Sequence, residues 1–361
     1  MKFELANQGN DNVDNTDDGN NNAETLENDV TILEKKAENL KSKIQEAIQI
    51  AEVSNETADI EIVKKLMEDY KEVIYKLRPD MVLGNSSEGD VDSNSENQNE
   101  TTESTTSPEQ ALEIMGELQF IGPEDIQKTF GFTPENIPVI QFSTEELERA
   151  KELGQQLILY VDKDENNNPL TTREMKKRLP EKTQSGKTFF YNDWYDDDEE
   201  LNDTTPSKGW RLTTPEVIEK STSKNYLEQT ETLIKYLENE VFKDTDMPEK
   251  FQQAITEFNT NKDEISDLMG SDWKEAAKKL ANLEINKLTR EQSSEIIYRL
   301  AINEKKFKTE NLENTWSWSN SVGSGGSLVV VGDFDSLGLF VGRGDPRYGD
   351  GVIGVCFSRS D

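Results

Sequence analysis

TWSWSNSVGSGGSLVVVGDFDSLGLFVGRGDPRYGDGVIGVCFSRSD, residues 315–361, reads as a different chain from everything before it. Upstream the sequence is crowded with Lys, Glu and Gln, yet the last of these are Lys308, Glu313 and Gln292. Short β-prone runs at 327–331, 337–341 and 351–357 are separated by Gly, Ser, Asp and Pro turns. That pattern predicts a compact β-rich surface whose loops face a ligand, with the remaining chain holding it. A terminal β-meander that merely completes a core is the plainer alternative.

Working outward, the composition narrows the function. Among 361 residues, 40 Lys+Arg against 73 Asp+Glu give a formal net charge of −33. A surface of that sign repels phosphate backbones and anionic lipid, so neither nucleic acid nor a membrane surface is an expected partner. No run approaches the roughly 20 apolar residues of a membrane span. The N-terminal stretch lacks the apolar core of a signal peptide, which makes the cytoplasm the default location, with a cell or particle surface as the alternative. Histidine is absent, which removes Ser-His-Asp and Cys-His catalysis and His-containing zinc sites. A single cysteine, Cys356, excludes an internal disulfide framework. The expectation is a protein without catalytic residues, metal or cofactor.

Along the chain, residues 1–22 are Asn/Asp/Gly-rich without a period and are expected to be disordered. Leu26, Val30, Leu33, Ala37, Leu40, Ile44, Ala47 and Ala51 follow a heptad, and Ile60, Val63, Met67, Tyr70, Ile74 and Leu77 follow a second. Residues 23–80 are thus expected to form an antiparallel helical hairpin or coiled coil, a possible route to a homo-oligomer. Residues 81–107 read as a disordered acidic linker, and 108–154 as a small helical segment in which Ser143 and Glu146 form a capping box. A strand is expected over 156–162 and a helix over 172–179. Between them, Asp162, Asp164, Asn166 and Asn168 alternate as calcium-loop ligands do. The sixth position is Asn167 rather than Gly and the twelfth Arg173 rather than Glu, which favours a solvated turn. The aromatic run 189–195 reads as a core strand, with the acidic run 196–200 as a charged loop. Thr214, followed by Pro215, is expected to cap a helix. Residues 226–308 are expected to form a helical insertion.

Two segments carry a resemblance. Gly209-Trp210-Arg211-Leu212-Thr213-Thr214-Pro215-Glu216 resembles the GWRLPT-x-E signature of the formylglycine-generating-enzyme-like branch of the C-type lectin fold, with Thr213 where the motif has Pro. The WSWS at 316–319 and GVIGVCFSR at 351–359 look like the last strands of that fold. Together they are similar to the variable proteins of diversity-generating retroelements, which carry hypervariable ligand-binding residues at the C-terminus. The resemblance covers about residues 155–361 and implies an α+β architecture: a C-type-lectin-like domain with a helical insertion and a variable tail at 315–361. In that family, adenine-directed mutation of codons ending in a pyrimidine cannot yield Lys, Glu, Gln, Met or Trp. Apart from Trp316 and Trp318, the tail contains none of these. The enzyme branch of the fold needs a cysteine pair, and this chain has one cysteine.

The expected ligand-binding residues are Ser319, Asn320, Ser321, Ser324, Asp335, Ser336, Leu339, Phe340, Arg343, Asp345, Arg347 and Tyr348. Rigid aromatic or aliphatic anchors and adaptable polar groups are mixed here as in antibody loops. Arg343 and Arg347 would pair an acidic group on a protein or glycan ligand. Trp210, Trp316, Trp318 and Phe334 are assigned to the framework. Two alternatives stand beside this: an assembly protein whose fixed partner binds the N-terminal helices, and a carboxylate hydrolase using the cluster 193–200.

Overall fold

The computed structural model describes residues 35–36, 43, 65, 105–190, 198–309, 311–335 and 337–360. The chain divides into two units, Met1–Asn99 and Glu100–Asp361. In the first, Lys35, Lys36, Lys43 and Lys65 are helical. The expectations for 1–22, for the rest of the hairpin and for the linker as far as residue 104 lie outside the described residues. So do Ser336 and most of the aromatic and acidic run at 191–197.

The second unit is mixed α+β and opens earlier than expected. Thr106 donates its N–H to the Ile140 carbonyl (3.0 Å) and its hydroxyl to that of Phe142 (2.7 Å), so the end of the expected linker is already part of the fold. Helix α1 (Pro108–Met115) starts at a Ser107/Gln110 capping box. Strand β1 (Phe120–Ile121), helix α2 (Pro123–Phe130) and helix α3 (Thr144–Glu152) follow, α3 with the Ser143/Glu146 box anticipated from the sequence. Strand β2 (Gln156–Tyr160) is buried at every residue, as an unbroken apolar run in a central strand requires. Next come α4 (Thr172–Arg178), the single turn α5 (Glu199–Asn202) and β3 (Gly209–Thr213).

No helix starts at Pro215. Thr214 continues the strand pairing instead: its N–H donates to the Phe357 carbonyl (2.9 Å) and its hydroxyl accepts from the Phe357 N–H (3.0 Å). A side chain committed to the neighbouring strand cannot cap a helix. Helix α6 (Tyr226–Tyr236) begins only after Asn225, which caps it with Glu228. A π-helical turn (Leu237–Val241) leads to α7 (Glu249–Ser271), α8 (Trp273–Asn282), α9 (Glu284–Thr289) and α10 (Ser293–Phe307).

The tail supplies β4 (Trp316–Val322), β5 (Leu328–Asp335), β6 (Gly338–Gly344), β7 (Ile353–Gly354) and β8 (Ser358–Ser360). Two sheets result, ordered β1-β2-β3-β8 and β6-β5-β4-β7. The β1/β2 and β4/β7 pairs are parallel and the others antiparallel. The last strand therefore returns to the first sheet and forms its edge beside β3, with Thr213 opposite Ser358 and Leu212 opposite Arg359.

Alternation along β5 separates two cores. Val329 and Val331 join a core containing β2, α1–α4 and α10, whereas Leu328 and Val330 join one containing α6–α9. The tail sheet is thus covered on both faces. Two expected boundaries do not divide this fold. Residues 108–154 share the first core with β2, and α10, buried at every residue from Ser293 to Glu304, is a central helix rather than part of an appended insertion.

Candidate functional site

Covering both faces of the tail sheet decides which tail side chains can meet a ligand. Ser319 is fully buried; its hydroxyl donates to the Val329 carbonyl (2.9 Å) and accepts from the Ser321 N–H (3.1 Å). Leu339 is also fully buried, in the first core. Both were expected to meet a ligand, and both are instead inside the fold. Asn320 and Ser321 are partly covered by the start of α10. The Asn320 N–H donates to the Glu291 carbonyl (3.0 Å), and the Ser321 hydroxyl accepts from the Ser293 N–H (2.9 Å).

The exposed members of the set lie on two adjoining loops. Ser324 sits at the exposed tip of the β4–β5 turn, where its N–H (3.1 Å) and hydroxyl (3.0 Å) both donate to Asp198. Asp198, at 5% exposure, is the anchor of this turn; a Cβ at Gly323 would come within 2.9 Å of its carboxylate. Arg343 is exposed at the end of β6, and its guanidinium would lie 3.9 Å from a Cβ at Gly325. The stem of Lys274, from α8, flanks the same turn 3.6 Å from a Cβ at Gly326. Neither Asp198 nor Lys274 was expected at this turn, because each reaches it from a distant element.

The loop after β6 carries Asp345, Arg347 and Tyr348. Its backbone is held to the segment before α6, with the Pro346 carbonyl accepting from Tyr226 N–H (3.0 Å) and the Asp350 carbonyl from Ser223 N–H (2.7 Å). Arg347 Nε donates to both Asp345 oxygens at 3.0 Å. Burial alone would raise the Asp345 carboxyl, but the Arg347 side chain and backbone N–H hold it below the ordinary carboxylate range. The exposed Tyr348 donates its hydroxyl to Asp350 (3.0 Å), which raises the phenol above its ordinary value.

Phe340 and Asp335 belong to the other end of the sheet. Leu328 pairs with Gly344 at one end, and Asp335 with Gly338 at the other. Phe340 is half-buried and packs on Trp316, with ring centroids 4.7 Å apart. Trp316 is itself only half-buried, so it is a surface aromatic as much as a framework one. Trp210, Trp318 and Phe334 are buried as expected.

The remaining chemistry candidates are quiet. Cys356 is buried, and its thiol is pushed up to about 11 by that burial, so little thiolate forms near neutral pH. In the 162–168 turn, Asp164 accepts from the Asn166 and Asn168 N–H groups, and Arg178 Nη2 reaches it at 2.8 Å. A guanidinium thus stands where a calcium ion would need that carboxylate. Among the described residues no group of three or more Cys, Asp or Glu side chains could hold a metal ion, and no helix is long and apolar enough to cross a membrane. No family model, curated protein or solved structure matches this chain.

Proposed function

We propose that the chain is a non-enzymatic ligand-binding protein with a C-type-lectin-like domain, similar to the variable proteins of diversity-generating retroelements. Its recognition surface is the β4–β5 turn and the loop after β6. The observation that carries this is the division of labour along the tail. Strand residues such as Val329, Val331, Leu339 and Val341 are buried, whereas Ser324, Arg347 and Tyr348 on the turns and Arg343 at the end of β6 are exposed. A surface built this way can change its loop side chains without disturbing its cores. The pairing of β3 with β8 also supports the reading, since it puts the 209–216 motif beside the end of the 351–359 motif.

Arg343 gives the surface a charged donor for an acidic group on a protein or glycan, with Arg347, already paired with Asp345, as a further polar contact and Tyr348 as a rigid one. The test is a glycan and protein array probed with the full chain, followed by the triple variant Arg343→Ala, Arg347→Ala and Tyr348→Ala. Loss of the array hit with an unchanged melting temperature is the expected result. A hit that survives the triple substitution removes these loops from the binding surface.

A further inference from the structure

A cleft that shares no lining residue with the tail loops lies between α3 and the segment that follows α6. Its volume is about 430 Å³, within the range of small-molecule sites. Ala150 of α3 and Leu153 just after it form one wall, and Val241, Phe242 and Pro248 form the other. The second wall owes its shape to the π-helical turn: Phe242 donates its N–H to the Leu237 carbonyl (2.8 Å), five residues back. That wide turn presents Val241 and Phe242 to the cleft, and such turns recur at functional sites. Arg149 fastens the turn to α3 by donating to the Glu240 carbonyl from Nε (2.9 Å) and Nη2 (2.8 Å). The floor is Arg359, 4% exposed and flanked by the rings of Phe142 (4.8 Å) and Phe242 (5.3 Å).

The charges of the cleft decide what it takes. Arg359 is neutralised by Glu146 (2.8 Å), and Arg149 by Glu152 (3.0 Å) and Glu240 (3.5 Å). Of the charged lining residues, that leaves Glu145 on one wall and Asp246 on the other, both exposed at the mouth. We infer that this cleft binds an amphipathic cation, its ammonium group held at the mouth by Glu145 and Asp246 and its apolar body lying against Leu153, Val241, Phe242 and Pro248. An anion of the same shape would meet two carboxylates at the entrance and a floor cation that already has its partner.

The test titrates hexylammonium into the full chain by calorimetry, with methylammonium and hexanoate as comparators. Saturable binding of one hexylammonium per chain is expected, with both comparators at least about tenfold weaker. Removing the two mouth charges in Glu145→Gln/Asp246→Asn is expected to weaken hexylammonium about tenfold, as the loss of two partly screened ion pairs implies. Thr245→Arg, which adds a cation at the exposed rim, is expected to abolish binding. All three positions are exposed, so the variants should melt with the parent chain. Absence of saturable binding, equal affinity for hexanoate, an unaltered affinity in the double variant, or binding retained in Thr245→Arg each overturns the assignment.

Discussion

Arg299 lies fully buried in α10, and its Nε and Nη2 each reach a different oxygen of Glu291 at 2.9 Å. Tyr160 adds its hydroxyl to the same carboxylate (2.9 Å), and Nη1 of Arg299 donates to the Pro215 carbonyl (2.9 Å). Burial alone would lower the guanidinium, but Glu291 more than reverses this and holds the group charged. Arg290 is equally buried with a different set of partners. It donates to Asn286 (2.9 Å), to the Tyr226 carbonyl (3.2 Å) and to the Thr230 hydroxyl (3.3 Å), and stacks on the Tyr226 ring at 3.8 Å. No carboxylate is among these, its Nη1 has no partner among the described residues, and burial pushes its pKa down to about 10. The two arginines should therefore respond differently to Met, which keeps the bulk and removes the charge. Arg299→Met leaves Glu291 charged and buried, and is expected to cost about 3–5 kcal/mol. Arg290→Met gives up hydrogen bonds to neutral acceptors but also removes a poorly compensated cation, and is expected to cost no more than about 1–2 kcal/mol. Urea unfolding of both variants at one pH measures the contrast; equal losses would contradict it.

In the β4–β5 hairpin, tolerance to substitution should change sharply within a few residues. Gly332 has φ +152°, and a Cβ there would meet the Thr315 carbonyl oxygen at 2.3 Å. Backbone cannot swing aside as a side chain can, so Gly332→Ala is expected to cost about 3 kcal/mol or more. Gly325, at the tip of the same hairpin, is exposed, and the nearest atom to a new Cβ is the Arg343 guanidinium at 3.9 Å. Gly325→Ala is expected to fall within about 0.5 kcal/mol of the parent. Chemical denaturation of the pair tests whether the hairpin separates a fixed strand from a replaceable tip, which the proposed recognition surface requires. If Gly325→Ala were as damaging as Gly332→Ala, the tip would be as constrained as the strand.

At the scale of the whole molecule, the legible parts were those governed by local rules. Ser143 and Glu146 announced α3, the apolar run beginning at Gln156 announced β2, and the Gly/Ser/Asp turns set off β5 and β6. Ser319 does not lie on the ligand-binding surface expected for it. Here both faces are covered, and Ser317 and Ser319 become internal partners, accepting from the Cys356 N–H (2.9 Å) and donating to the Val329 carbonyl (2.9 Å). The cation cleft was invisible for another reason: Glu146, Phe242 and Arg359 come from three distant stretches of chain. The same depth of packing sets how the fold meets alkali. Burial raises the phenols of Tyr160, Tyr226, Tyr236 and Tyr298, and lifts Cys356 from 9.0 to about 11. Each of these groups holds its proton more tightly in the folded chain than in the unfolded one. The stability they contribute is complete below the unfolded values and is lost as pH rises from about 9 through the folded ones. Arg290 works the other way, since its pKa falls on folding and its cost is relieved as pH passes about 10. One such group against five leaves the balance with alkaline destabilisation. The melting temperature should hold level up to pH 9 and then fall by at least about 5 °C before pH 11, at roughly 2–4 °C per kcal/mol for a unit of this size. Circular dichroism melts across that range measure it, and a level profile to pH 11 would mean that these side chains are not shut away from solvent.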